Sequence, residues 1–132
     1  MNFFKNPQNV LIPQLWWMLI KEELKRRPIE TEVILDIDTS EVPLQTVKTM
    51  RVNEGIQNFT ILCSIRDKED IPSLVHELCH VWQFLRDIER THLVTELEAD
   101  AVKWEKHYAN LPFDEIPLLK VPTFVAILPR GH

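Results

Sequence analysis

The chain has 132 residues and carries 15 Lys+Arg against 20 Asp+Glu, for a net charge of −5. That length argues for one domain, and hydrophobic residues at 45% with charged ones at 27% exclude a disordered or collagen-like chain. The acidic balance excludes a nucleic-acid partner, because neutralising phosphates takes clustered Lys and Arg.

An apolar stretch over residues 10–20 is interrupted by Pro13 and Gln14. It is too short to span a bilayer, and it lacks the basic start and small-residue cleavage site of a signal peptide. The two cysteines, Cys63 and Cys79, match no disulfide framework and no CxxC zinc pair. A cytoplasmic, reducing location is therefore expected, with no membrane span.

Pro13 suits the first turn of a helix, Trp16, Ile20 and Leu24 recur at a spacing of four, and Pro28 stops the pattern. This predicts an amphipathic helix over 13–27. Three strand-like runs follow at 32–37, 47–52 and 58–65. Val33, Leu35 and Ile37 alternate in the first, and Phe59, Ile61, Cys63 and Ile65 share a face in the last. Asn53-Glu54-Gly55 is a turn signal that makes a hairpin of the last two. From Asp70 the period changes. Asp70 caps, Pro72 fits a first turn, and Leu74, Leu78, Val81, Leu85 and Ile88 recur at three and four, predicting a helix over 71–89.

A further helix over 93–109 carries Leu97, Ala101, Trp104 and Tyr108 as its apolar stripe. Beyond it, Pro112, Pro117, Pro122 and Pro129 forbid a regular helix, leaving a strand-like run at 123–128. The expected fold class is α+β: a backing helix, a small three-stranded and mostly antiparallel sheet, then two helices. Residues 1–110 form the domain, and 111–132 are a proline-rich tail packed on it.

The chemistry sits in residues 76–80, His-Glu-Leu-Cys-His. Four residues turn a helix by about 400°, so His76 and His80 stand one above the other and can converge on one Zn²⁺. Glu77, about 100° round from His76, is placed to take a proton from a water at that ion. The leucine stripe lies on the other side of the helix, so the histidines face away from it, together with Gln83 and Asp87. Cys79 is about 60° off the His76 line and is not assigned to the metal.

Two imidazoles need a third partner. Glu96 and Asp100 are i and i+4 on the next helix, with Glu96 about 80–140° from its apolar stripe. Glu96 is accordingly the expected carboxylate ligand. Asp100 is expected to accept the free N–H of a ligand histidine. Glu98 is read as projecting to the opposite side, into solvent. His92, in the connecting turn, is the alternative third ligand.

An HExxH helix followed by Glu96-x-Glu98-Ala99-Asp100 resembles the gluzincin zinc peptidases, and within them the HtpX-like and CAAX-prenyl-protease branch. The layout of helix, three strands, HExxH helix and Glu helix is similar to the soluble minigluzincins. That resemblance spans residues 13–109 in layout and 76–100 in motif. It implies a zincin-like fold, His76, His80 and Glu96 as zinc ligands, Glu77 as catalytic base and Asp100 as outer partner. It also implies a peptide or protein substrate held in extended form along a cleft-rim strand, for which 58–65 is the candidate.

The chain departs from larger gluzincins in lacking transmembrane helices and a Tyr or His to stabilise the oxyanion. His107 stands about 16 Å along the axis from Glu96, too far to share its metal. Two alternatives stand beside a peptidase. One is a SprT-like protease with a histidine as third ligand. The other is a non-catalytic, metal-stabilised binding or inhibitory module whose tail fills the cleft.

Overall fold

In the computed structural model, which describes residues 9–26, 31–37, 46–53, 56–65, 70–88 and 91–122, the chain is α+β. Pro13 closes strand β1 (Asn9–Pro13), and helix α1 (Gln14–Arg26) starts at the next residue. The spacing of four buries Trp16, Ile20 and Leu24, while Leu15 and Met18 stay exposed. Lys25 and Arg26 lie in the last turn, where cations complement the helix dipole. No helix among the described residues is long and apolar enough to cross a membrane.

Strands β2 (Thr31–Ile37), β3 (Thr46–Asn53) and β4 (Ile56–Ile65) pair in the order β2–β4–β3. β3 and β4 are antiparallel, with Thr46 opposite Cys63 and Asn53 opposite Ile56. β2 runs parallel to β4, with Val33 opposite Ile61, so this sheet is mixed rather than mostly antiparallel. Val33 and Ile61 are buried in the core, whereas the side chains of Leu35, Ile37, Phe59, Cys63 and Ile65 fall outside the described residues.

Helix α2 (Ile71–Leu85) packs across β4 and β3 on its apolar back, burying Leu74, Val75, Leu78, Val81 and Leu85. Asp70 caps it, its Oδ1 accepting from the Ser73 amide at 3.2 Å. The helix stops short of residue 89 because Asp87 turns left-handed at φ 56°. Asp70→Ala should cost about 1 kcal/mol, the usual loss for an N-cap acceptor. A lower urea midpoint at an unchanged m-value would register it.

Helix α3 (Val94–Ala109) lies along α2 and buries Leu97, Ala101 and Tyr108. Trp104, half-buried, meets the Trp16 ring edge-on at 5.4 Å between centroids, joining α3 to α1. A 3₁₀ turn (Phe113–Glu115) leads into β5 (Leu118–Pro122), which pairs antiparallel with β1 from Pro13–Leu118 to Asn9–Pro122.

This second sheet is not evident from the sequence, and the strand-like run at 123–128 lies outside the described residues. The Gln14 amide donates to the Pro117 carbonyl at 2.9 Å, and Ile12 and Ile116 are buried behind the pair. Ending the chain after Asn110 removes the partner of β1 and uncovers Ile12. Each such side chain contributes about 1.5–3 kcal/mol, a large share of the ~5–15 kcal/mol that holds a domain together. The truncated chain should lose its cooperative thermal transition by circular dichroism.

Candidate metal centre

Along α2, His76 and His80 occupy the face turned from the sheet, and their rings meet edge-on with centroids 5.1 Å apart. Both Nε2 atoms point at one carboxylate. His76 Nε2 lies 2.6 Å from Glu98 Oε1, and His80 Nε2 lies 3.1 Å from Glu98 Oε2. One ligand atom from each of these three residues falls within 4.8 Å of the others. Ligands on a tetrahedral Zn²⁺ at ~2.0–2.1 Å sit roughly 3.3 Å apart, so each ring need move less than about 1 Å from Glu98 to leave room for an ion.

The outer nitrogens are held as well. His76 Nδ1 is 2.7 Å from Glu105 Oε1, and His80 Nδ1 is 2.8 Å from Gln83 Oε1. A carboxylate only accepts, so His76 donates through Nδ1 to Glu105, and its Nε2 faces the Glu98 carboxylate. A lone pair facing a carboxylate is favourable only with positive charge between them, either a proton or a metal ion. The imidazoles are shielded, each with 15% of its side chain exposed, whereas Glu98 is 52% exposed. The cluster therefore opens to solvent on the α3 side, where a water can reach it.

The carboxylate beside the two rings is Glu98, and Glu96 lies elsewhere. Glu96 sits at the third position of α3, where its Oε1 curls back to accept from the Leu93 amide at 2.9 Å. A glutamate at that position satisfies one of the helix's unpaired N-terminal donors. Asp100 also departs from expectation. Its Oδ2 takes the Cys79 thiol at 3.5 Å, and the histidine N–H acceptors are Glu105 and Gln83.

Gln83, grouped by its helical angle with the polar front of α2, is wholly buried, its Nε2 donating to the Leu97 carbonyl at 2.9 Å. His92 is exposed in the connection, against Thr91 Oγ1 at 3.0 Å and the Ile88 carbonyl at 3.1 Å, and does not join the cluster. His107 packs edge-on between Trp104 and Tyr108, at 5.6 and 5.5 Å.

Cys79 is buried beneath the histidines. Burial, and then the Asp100 carboxylate facing it, push its thiol well above the usual range. It remains a protonated donor rather than a thiolate ligand. Glu77 is 6% exposed, set into the protein beside the first histidine.

The rim-strand expectation also changes. β4 is flanked by β2 on one side and β3 on the other, so its backbone groups are already paired and cannot take up a peptide. The outer strand on the side of α2 is β3.

The chain matches no family model, and no curated protein or solved structure is significantly similar to it.

Proposed function

We propose that this chain is a zinc-dependent peptidase of zincin-like build, in which His76, His80 and Glu98 hold the ion and Glu77 is the general base. One observation carries the reading: two Nε2 atoms converge on the Glu98 carboxylate while both Nδ1 atoms are held by other groups. Two imidazoles and one carboxylate, with a side open to solvent, suit catalytic zinc, which keeps a coordination position for water. When bound, the ion supplies Lewis acidity, bringing the pKa of water to about 7 and polarising a carbonyl.

The protein's own groups do the rest. Glu77 accepts a proton from the attacking water and returns it to the departing amine. Glu105 and Gln83 keep the two rings turned inward. The outer edge of β3 offers backbone donors and acceptors to an extended peptide, which would add as a strand. The free thiol of Cys79 fits a reducing, cytoplasmic setting.

Elemental analysis of the purified chain beside His76→Ala, followed by cleavage of a peptide library, tests the reading. One zinc per wild-type chain, almost none in the variant, and cleavage by wild type alone are expected. A zinc-free wild type overturns the metal centre, and bound zinc without cleavage reduces it to a structural module.

A further inference from the structure

We infer that Gln83 is a positioning residue that fixes the tautomer of His80, passing the direction of a main-chain carbonyl on α3 to the nitrogen that faces the metal. The inference rests on the proposed metal centre for its purpose, though not for its geometry. His76 has a carboxylate at Nδ1, which can only accept from that nitrogen. His80 has an amide there, and an amide presents either an oxygen or an NH₂ group.

The choice is made on the far side of Gln83. The Leu97 carbonyl, 2.9 Å from the amide nitrogen, only accepts, so the NH₂ group must point to it. The reversed amide would set two oxygens against each other at that distance. Gln83 is 0% exposed, so water does not relieve such a contact, and the reversed amide would leave two buried acceptors unsatisfied. The amide oxygen is thereby committed to His80. Nδ1 therefore donates to Gln83, and Nε2 is left as the nitrogen that would meet an ion beside Glu98.

Leu97 directly precedes Glu98 in the chain. One turn of α3 therefore supplies both the carboxylate ligand and the carbonyl that orients the opposing ring. The remaining amide hydrogen lies toward Cys79 Sγ at 3.6 Å, whose thiol is in turn directed to Asp100. This leaves the relay no second stable orientation. Asp100 thus acts on the centre through Cys79 and Gln83, two residues removed from the ring it was expected to touch.

Long-range ¹H–¹⁵N correlation spectra of the zinc-free protein read directly whether each Nδ1 carries hydrogen. In wild type, His76 and His80 should both carry hydrogen on Nδ1. Gln83→Met keeps the length of the side chain and removes the acceptor. It should move His80 toward the Nε2–H form, leave His76 unchanged, and weaken zinc binding about 10–100-fold in chelator competition.

A wild-type His80 without hydrogen on Nδ1 overturns the relay, whether or not the variant folds. So does a folded Gln83→Met protein whose His80 is unaltered. A wild type with the expected tautomers and no zinc affinity defeats the metal centre and leaves the relay standing.

Discussion

Glu98→Gln should abolish tight zinc binding, whereas Glu96→Gln should leave it intact. Glu98 is the carboxylate at 2.6 and 3.1 Å from the two Nε2 atoms, and a neutral amide there supplies neither the charge nor the basicity that the ion needs. The loss should exceed the ~10–100-fold that outer partners of a metal site typically cost. Glu96 instead accepts from the Leu93 amide at the start of α3, and glutamine does this nearly as well.

Glu96→Ala removes that bond and should lower stability by about 1 kcal/mol while zinc affinity stays at the wild-type value. Calorimetric titration with zinc, run beside thermal melts of the same three variants, separates ligand from cap. Retention of zinc by Glu98→Gln together with its loss from Glu96→Gln would return the ligand role to Glu96.

The two glutamates are hard to tell apart in the sequence for a reason that lies in the helix itself. Counting about 100° per residue from Leu97, the stripe of Leu97, Ala101, Trp104 and Tyr108 spans about −20° to 40°. Glu98 and Glu105 fall at about 100° and 80°, while Glu96 and Asp100 fall at about −100° and −60°. Both pairs therefore flank the core at similar angles. Which flank meets the histidines depends on the direction in which α3 crosses α2, and periodicity says nothing about that.

The i, i+7 pair of Glu98 and Glu105 is a signal equal in kind to the i, i+4 pair of Glu96 and Asp100. Glu96 closes on the Leu93 amide, a contact that the sequence does not signal because leucine is not a capping residue.

Other features were legible where one element's own pattern decides them. The spacing of Trp16, Ile20 and Leu24 defines α1, and Asp70, Pro72 and the leucine stripe place α2 with its histidines opposite the core. Pairing partners are a property of two segments. The parallel neighbour of β4 and the union of β1 with β5 are long-range matches that no local period encodes. The prolines at 117 and 122 hid β5 further, because proline argues against an interior strand yet is tolerated at strand ends. The helical angle of Gln83 places it on the front face with the histidines. Its burial comes from α3 closing over that face, with the Leu97 carbonyl there to receive it.

Glu77→Gln should keep the zinc and lose the chemistry. The amide has the shape of the carboxylate, so a side chain only 6% exposed is replaced without a cavity, and the three proposed ligands are untouched. The amide cannot take a proton from water. General acid–base catalysis contributes about 10²–10⁴ in rate, so kcat should fall by that factor, about 2.7–5.4 kcal/mol of transition-state stabilisation at 1.36 kcal/mol per decade. KM should change little, because the group acts on the proton in flight rather than on bound peptide. Glu77→Asp is the companion variant. It restores a base but withdraws it by one methylene, and since proton transfer depends on heavy atoms within about 2.6–3.2 Å, most of the loss should remain. Full activity in Glu77→Gln removes this residue from the reaction. Loss of zinc together with activity makes it part of the scaffold instead, whereas a zinc-loaded, folded and inactive protein leaves proton transfer as the step that Glu77 performs.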